Sequence, residues 1–563
     1  MNKQPARKGR FWFILRRSYS QFNATCMPRI VLLGEPGSGK STAAREIARR
    51  IRGRVVEVSE SVIYPMASFS GKLPSEERML ERFAKQQMKT MKRVDRDMAR
   101  AVFQKISKQY SRDFIAKSLH AQAVDSSSKA TFLFTGLRGF ENAAYSRLHN
   151  DFLVYLDADT QTLVDRLSHD RGQTQQEALR DLREEQTLYR TKQIKKIAHL
   201  VIDTSKMSQS ETVQVIVDAI EREYRVCKRC VNTARNPAIT FTAEGYCHVC
   251  DAYLKHFDKK HLKIELKFLQ QFKGSGKNGG YDVMVGISGG KDSTATLATM
   301  NQMGFHSLAF TFDLGYLPST TVPRARHTAK QLGTDFAVID LRPMMRPIDI
   351  ASYEKTAALY EEPFTLATKN KFVAAYAEGR KHYSVKCKHS PAFVRTCQLC
   401  RRTVVRAYYE EARKRGISAI VLGINEWTNL SAAQRGGDFR VSGMRKLQPD
   451  KNQPPVYIFH LPFLLQRTSS QTKRILQKLH WEAPKGEDFI ESNSNSCLFA
   501  RSTERMAKRL LAFHPDATRL AREVTVGFIT KNQALKALGK IHPFPLTPRE
   551  VLEKAGILKK KNS

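Results

Sequence analysis

Long apolar runs are missing from this 563-residue chain. No stretch approaches about 18 uninterrupted apolar residues, so no membrane-spanning helix is expected. Acidic residues are scarce: 54 Asp and Glu stand against 94 Lys and Arg, a formal charge of +40. A surface that basic suits a polyanionic partner, most simply nucleic acid, through phosphate neutralisation and counterion release, although a generally basic proteome gives the same balance. Cysteine is scarce as well, and six of the nine fall in C-x-x-C pairs: Cys227/Cys230, Cys247/Cys250 and Cys397/Cys400. Cys26, Cys387 and Cys497 stand alone. Pairs at that spacing point to metal or sulfur chemistry in a reducing compartment rather than to disulfides. Met1 to Gly34 holds no acidic residue, and its FWFIL patch is too weak for a secretory signal. That stretch resembles an organellar transit peptide or an upstream extension of the gene. The extension is favoured because Met27-Pro-Arg opens a clean strand, so the chain is read as cytoplasmic, with organellar import left open.

What is present is globular: 41% hydrophobic and 26% charged residues, in a length that suits two to four domains. Ile30 to Leu33 reads as a strand, followed by Gly34-Glu-Pro-Gly-Ser-Gly39-Lys40-Ser41-Thr42 and an alanine- and arginine-rich helix. This fits G-x-x-x-x-G-K-[ST], in which main-chain N–H groups cradle phosphates, Lys40 reaches the β and γ oxygens and Ser41 ligates magnesium. The following segment resembles small nucleotide kinases of the adenylate and dephospho-coenzyme A kinase type, with Thr135-Gly136-Leu137-Arg138-Gly139 at a strand end. Arg166 and Arg171 are candidates for a phosphate-contacting lid or for plain surface charges. That family usually carries an aspartate where Thr135 stands, which leaves nucleotide binding expected and kinase turnover in question.

Cys227 and Cys230 precede Cys247 and Cys250 across a segment that reads as a hairpin. This is the spacing of a four-thiolate zinc ribbon, a closed site that stabilises a segment too small for its own core. His248 is read as a bystander. CKRCVNTARNPAITFTAEGYCHVC also resembles the ribbon of bacterial N-acetyl-sugar amidotransferases.

Tyr281 to Leu297, YDVMVGISGGKDSTATL, reads strand, tight turn, helix. Paired glycines let main-chain N–H groups converge, the helix start adds partial positive charge, and Ser288, Lys291 and Ser293 supply further donors to an anion. SGGKDS resembles the pyrophosphate loop of the N-type ATP pyrophosphatases. The resemblance implies that Ser288, Gly289, Gly290, Lys291 and Ser293 hold ATP, with Lys291 and Asp292 at the reacting phosphate. Two more strands follow, one ending at Asp313, which is placed for ribose or adenine contact or simply for a turn. The alternation implies a parallel α/β sheet with nucleotide at the strand ends.

Tyr383 to Arg402 breaks that rhythm and leads through Cys397 and Cys400 into a helix, then to a strand ending in Gly423-Ile-Asn425. This order resembles the tRNA 2-thiolation branch of the pyrophosphatases. In that branch a C-x-x-C pair and a third cysteine, here Cys497, bind an iron–sulfur cluster or carry persulfide. A second zinc site completed by Cys387, His389 or His382, or plain buried thiols, stay open. The branch usually has Gly-His-Asn where this chain has Ile424, with Glu426 and Trp427 following.

The expected organisation is a basic extension (1–26), a P-loop nucleotide-kinase-like domain (27–225), a zinc ribbon (226–252), a pyrophosphate-loop domain (253–500) and a helical C-terminal region (501–563). The expected cofactors are ATP, Mg2+ and Zn2+, with a [4Fe-4S] cluster as a further candidate. The expected partners are tRNA or other RNA and a sulfur-donating or ammonia-supplying protein. The leading functional expectation is adenylation of an RNA base followed by sulfur transfer. Amidination of an N-acetyl sugar on a surface polysaccharide is the alternative, and a nucleotide-gated RNA-binding protein the third.

Overall fold

Contacts divide the chain into two units, residues 1–225 with 365–369 and residues 226–364 with 370–563. The computed structural model describes residues 28–69, 72–85, 94–125, 130–276, 280–432, 439–483, 488–490, 497–540 and 544–560. The basic stretch 1–26 and Cys26 lie outside the described residues.

The first unit is built on a five-stranded parallel sheet. Its strands are β1 (Arg29–Gly34), β2 (Arg54–Glu57), β3 (Phe132–Thr135), β4 (Phe152–Asp157) and β5 (Leu200–Asp203), in the order β2-β3-β1-β4-β5. Side chains alternate across β1, as strand geometry requires. Ile30 and Leu32 join a core with helix α1 (Lys40–Ile51), while Val31 and Leu33 face Phe114, Phe134 and Leu119 on the other side. Helices α2 (Thr160–Arg171) and α3 (Gln175–Tyr189) follow β4, and α4 (Gln209–Glu223) closes the unit with a Ser208/Glu211 capping box.

The second unit begins with the cysteine ribbon, α5 (His248–His256) and α6 (Lys259–Gln270). Its sheet then takes β6 (Val283–Gly286), with α7 (Lys291–Gln302) behind it, β7 (Ser307–Asp313) and β8 (Asp335–Asp340). Helices α8 (Pro347–Glu361) and α9 (Thr396–Lys414) lead to β9 (Ala419–Leu422), the pair β10 (Asn429–Ala432) and β11 (Phe439–Ser442), then β12 (Met444–Leu447) and β13 (Val456–His460). The six-stranded order is β12-β13-β9-β6-β7-β8, parallel except at the β12–β13 pair. Four helices lie towards the end of the chain: α10 (Leu498–Leu510), α11 (Ala517–Thr525), α12 (Lys531–Gly539) and α13 (Pro548–Lys554).

The ribbon, the Tyr281–Leu297 segment and the C-terminal helices, separate in the sequence reading, share one hydrophobic core. Val283, Val285, Leu297 and Met300 pack in the same cluster as the four ribbon cysteines and Leu520, Val524 and Phe528. Burying each such Leu, Val or Phe side chain contributes about 1.5–3 kcal/mol. Helices α11 and α12 are therefore part of the sheet's support, which decides what they bring to the site.

Candidate nucleotide sites and a cysteine-lined cavity

In the first unit β1 runs into a loop whose Gly34, Gly37 and Gly39 all have positive φ, and Gly39 is the N-cap of α1 with no side-chain cap. The first N–H groups of α1 are thereby left for an anion. Lys40 donates to the Glu35 carbonyl at 2.6 Å and to Ser38 Oγ at 3.2 Å, and Ser41 and Thr42 follow on the first turn. Arg166, a lid candidate in the sequence, instead braces this loop: it donates to the Gly37 carbonyl at 3.2 Å and to the Thr204 carbonyl at 2.8 Å. The Arg171 side chain is outside the description.

Thr135, where a carboxylate is usual, is fully buried, and its hydroxyl has no hydrogen-bond partner. Its register partner on the adjacent strand is Glu57. Burial raises the Glu57 pKa above the ordinary carboxylate value against a lowering hydrogen bond from Ser41. A carboxylate thus stands one strand over, hydrogen-bonded to the Ser41 hydroxyl, a feature no local motif announces. Glu57→Gln is expected to slow ATP turnover by the first unit about 100-fold, with nucleotide affinity retained. Steady-state ADP formation alongside equilibrium nucleotide binding checks this.

In the second unit Ser288, Gly289, Gly290, Lys291, Asp292, Ser293 and Gly423 line one cavity of about 550 Å³. Gly290 is the uncapped N-cap of α7. Gly289 has φ +70, and a Cβ there would lie 2.6 Å from Arg324 Cβ. Gly423 is equally constrained, since a Cβ would meet the Asp292 main chain at 2.8 Å. The loop is held open by Ser293 Oγ, which accepts from Ser288 N at 3.2 Å and donates to the Gly290 carbonyl at 3.0 Å. The Trp481 indole donates to the Gly289 carbonyl at 2.9 Å. Lys291 pairs with Asp292 and lies over the rings of Phe489 and Phe528. Asp313 does not line the cavity: its Oδ1 accepts from Gly315 N at 2.7 Å, so it serves the turn.

A second cavity of about 350 Å³ is lined by Cys397, Cys400 and Cys497. It shares Phe312, Leu317, Val404, Tyr408, Leu422 and Ile424 with the Ser288–Ser293 cavity, so the two meet at a common wall. Burial pushes the Cys397 thiol up to about 12 and the Cys400 thiol up to about 11, and Cys497 is raised for the same reason. Unliganded, these thiols are protonated near neutral pH and are poor nucleophiles. A cation or cluster that takes them as thiolates supplies the missing charge. Cys497 sits at the N-cap of α10, its sulfur accepting from Ala500 N at 3.4 Å. Cys387 is not in this lining; it lies against His382 Nδ1 at 3.5 Å and accepts from His389 N at 3.3 Å. Ile424, Glu426 and Trp427, the departures from the thiolation pattern, all line the cysteine cavity.

Helix α9 presents Cys397 and Cys400 because it is pinned behind them. Arg402 on α9 is wholly buried and forms a 2.9 Å ion pair with the equally buried Asp349 of α8; Arg406 reaches the same carboxylate at 3.0 Å. Burial alone would raise the Asp349 pKa, but Arg346, Arg406 and Arg402 outweigh it and hold it below the ordinary value. Removing the acid strands a buried cation, so Asp349→Asn is expected to destabilise the second unit by about 3–5 kcal/mol. A depressed carboxylate stabilises above its unfolded pKa of about 4 and loses that contribution as pH falls through the folded value. The gap between wild type and variant in urea unfolding, followed by tryptophan fluorescence, should therefore close below about pH 4.

The C-terminal helix α11 also reaches both cavities. Arg519 lines the Ser288–Ser293 cavity and Arg522, one turn later, the cysteine cavity. Burial works against the Arg519 charge, yet Glu523, at 2.6 Å, and Asp516 outweigh it and raise its pKa. In the ribbon, Cys227, Cys230, Cys247 and Cys250 are fully buried with their sulfurs within 4.8 Å of one another. Four sulfurs around zinc stand roughly 3.8 Å apart, and Cys230 and Cys247 are already 3.5 Å apart. Main-chain N–H groups of Asn232 and Cys247 point at Cys230 and Cys227 at 3.5 and 3.3 Å, the polarity that thiolate ligands require. The donor set fits a tetrahedral soft-metal site. Among the described residues no other group of three or more such ligands is drawn together that closely.

Residues 30–188 match a protein family described as an AAA domain. No curated protein matches the chain. Similar solved structures include a shikimate kinase from Acinetobacter baumannii, in complex with shikimate, at 18% identity over 36% of this chain and 96% of that one, with a TM-score of 0.22. A shikimate kinase from Bacteroides thetaiotaomicron is 14% identical over 35% and 97%, TM-score 0.21, and a gluconokinase from Sinorhizobium meliloti 14% over 35% and 92%, TM-score 0.20. The family match, the Gly34–Thr42 loop and the parallel sheet make the first unit a P-loop nucleotide-binding domain, which implies ATP and Mg2+ as its ligands. Its Lys40 and Ser41 would hold the nucleotide phosphates and the magnesium. No described helix is long and apolar enough to cross a membrane.

Proposed function

We propose that the second unit adenylates a carbonyl oxygen of an RNA base and then replaces the AMP with sulfur. The observation that carries the reading is the common wall between the Ser288–Ser293 cavity and the cavity lined by Cys397, Cys400 and Cys497. The base oxygen attacks the α phosphorus, the bond to the β-phosphate oxygen breaks, and pyrophosphate leaves into the loop. Lys291 and the N–H groups at the start of α7 would stabilise the charge that develops there. Activation is required because a carbonyl oxygen leaves poorly and AMP leaves well. Sulfur supplied by a donor protein would enter through the three cysteines; a cluster held by three thiolates offers one iron to a sulfur ligand. The +40 charge supports RNA as the substrate class.

Anaerobically purified protein is expected to contain iron and acid-labile sulfide, or persulfide, together with zinc, and to release pyrophosphate faster when RNA is added. Cys397→Ser, Cys400→Ser and Cys497→Ser should each remove the iron or persulfide and leave the zinc. Variants that keep wild-type iron and persulfide would end the sulfur-transfer reading. The likeness of the ribbon sequence to N-acetyl-sugar amidotransferases favours a second reading. It keeps the adenylation and uses ammonia as nucleophile on an acetamido carbon, and pyrophosphate release driven by an N-acetyl sugar but not by RNA would select it.

A further inference from the structure

We infer that the cysteine-lined cavity recognises its acceptor through an oxyanion, a phosphate or carboxylate that the acceptor carries, gripped by Arg401 and Arg445 with the indole N–H of Trp427. The inference rests on reading the second unit as an adenylating site, since it names what the acceptor brings to the cavity beside the nucleotide.

Three arginines, Arg401, Arg445 and Arg522, line this cavity, and Glu426 is its one lining carboxylate. That carboxylate is engaged by Arg522, 3.7 Å away. Arg401 and Arg445 have no carboxylate partner among the described residues. Burial lowers the Arg445 pKa, and the charge of Arg401 lowers it further, so the two cations repel across a partly apolar space. Two such charges are costly to hold together unless an anion joins them. His460 adds no charge: burial brings its pKa down to about 4, and its Nδ1 lies 2.7 Å from the Glu426 carbonyl.

A second observation points the same way. Trp427 is only 7% exposed, lines the cavity, and its indole nitrogen has no hydrogen-bond partner. A buried N–H donor left unpaired is an unmet cost that a ligand oxygen would remove. Arg522 lies over the Trp427 ring, with 5.2 Å to its centroid, which fixes the indole in place. Ring stacking also accounts for where Arg401 lies, 5.4 Å from the Tyr383 centroid, but it does not neutralise the charge. Two guanidinium forks and one N–H suit a group with two or three acceptor oxygens. Phosphate and carboxylate share that chemistry, the first coming from a nucleotide and the second from an acidic small molecule.

The test is calorimetric titration of the full chain with both nucleotide sites saturated by α,β-methylene-ATP and Mg2+. The titrants are ribose 5-phosphate against ribose, and glucuronate against glucose. The charged member of at least one pair should bind and its neutral counterpart should not. Arg401→Met and Arg445→Met should each weaken that binding about 10-fold or more, while Arg445→Lys retains part of it. Unchanged affinity for the nucleotide analogue shows that the variants are folded. Binding of ribose 5-phosphate identifies a nucleotide source and binding of glucuronate an acidic small molecule; either supports the inference. Equal behaviour of charged and neutral members, no binding by either charged member, or wild-type binding in a folded Arg445→Met protein overturns it. A protein that binds the anion yet releases no pyrophosphate with RNA or sugar acceptors would remove the adenylation reading and leave the anion site. Pyrophosphate release without any charged-to-neutral difference would remove the anion site alone.

Discussion

Lys291→Met protein is expected to form AMP and pyrophosphate about 100- to 1000-fold more slowly than wild type, the usual loss when one preorganised donor to a developing anion is removed. Lys291 begins α7, with its side chain largely shielded, and its ammonium is held over Phe489 and Phe528 rather than wandering in solvent. A cation fixed in partly apolar surroundings costs little to reorganise when charge develops on the α-phosphate, so its loss falls on the chemical step more than on binding. The two ATP sites cleave different bonds in this reading, which lets one experiment separate them. With ATP labelled at the α-phosphate, AMP reports the Ser288–Ser293 loop and ADP reports the Gly34–Thr42 loop. Lys291→Met should lose AMP and keep ADP, whereas Lys40→Ala should do the reverse. If AMP formation survives in Lys291→Met, or disappears in Lys40→Ala, the assignment of adenylation to the second unit is wrong.

The parts of these sites that could be read from the sequence are those fixed by local backbone physics. A short apolar strand, glycines that permit positive φ, and a lysine and serines at a helix start are contiguous at both loops, and the structure presents both as open helix N-termini. The ribbon cysteines were readable for a similar reason, since two C-x-x-C pairs need only one hairpin to converge. What escaped depends on strand order and remote packing. Glu57 faces Thr135 because β2 pairs with β3, although 78 residues separate them in register. Arg519 and Arg522 enter the cavities because α11 shares the sheet's core; in the sequence TRLAREVT looks like an ordinary charged helix. Asp313 shows the opposite case, a motif position whose side chain is taken by its own turn. Trp427 and Glu426 marked a departure from a familiar pattern, and their place in the cavity wall gives that departure a chemical use.

Withdrawing metal from the ribbon is expected to abolish AMP formation while ADP formation continues. In small zinc domains the binding free energy, about 10–16 kcal/mol at neutral pH, is itself folding free energy, and this ribbon has little core of its own outside the shared cluster. The ribbon is tied to the helices that complete the cavities: Cys250 Sγ lies 3.0 Å from Thr525 Oγ1, Arg229 donates to the Thr525 carbonyl at 2.7 Å, and Lys531 donates to the Cys227 carbonyl at 2.8 Å. Loosening the four thiolates therefore loosens α11, and with it Arg519 in the Ser288–Ser293 cavity and Arg522 in the cysteine cavity. Cys247→Ser should lower zinc content below one equivalent and shift the thermal transition of the second unit downward. Chelator should do the same to wild type, more readily at lower pH, because protons compete for the thiolates. Protein that loses its zinc but keeps both its melting transition and its AMP formation would show that the ribbon is not what holds α11 in place.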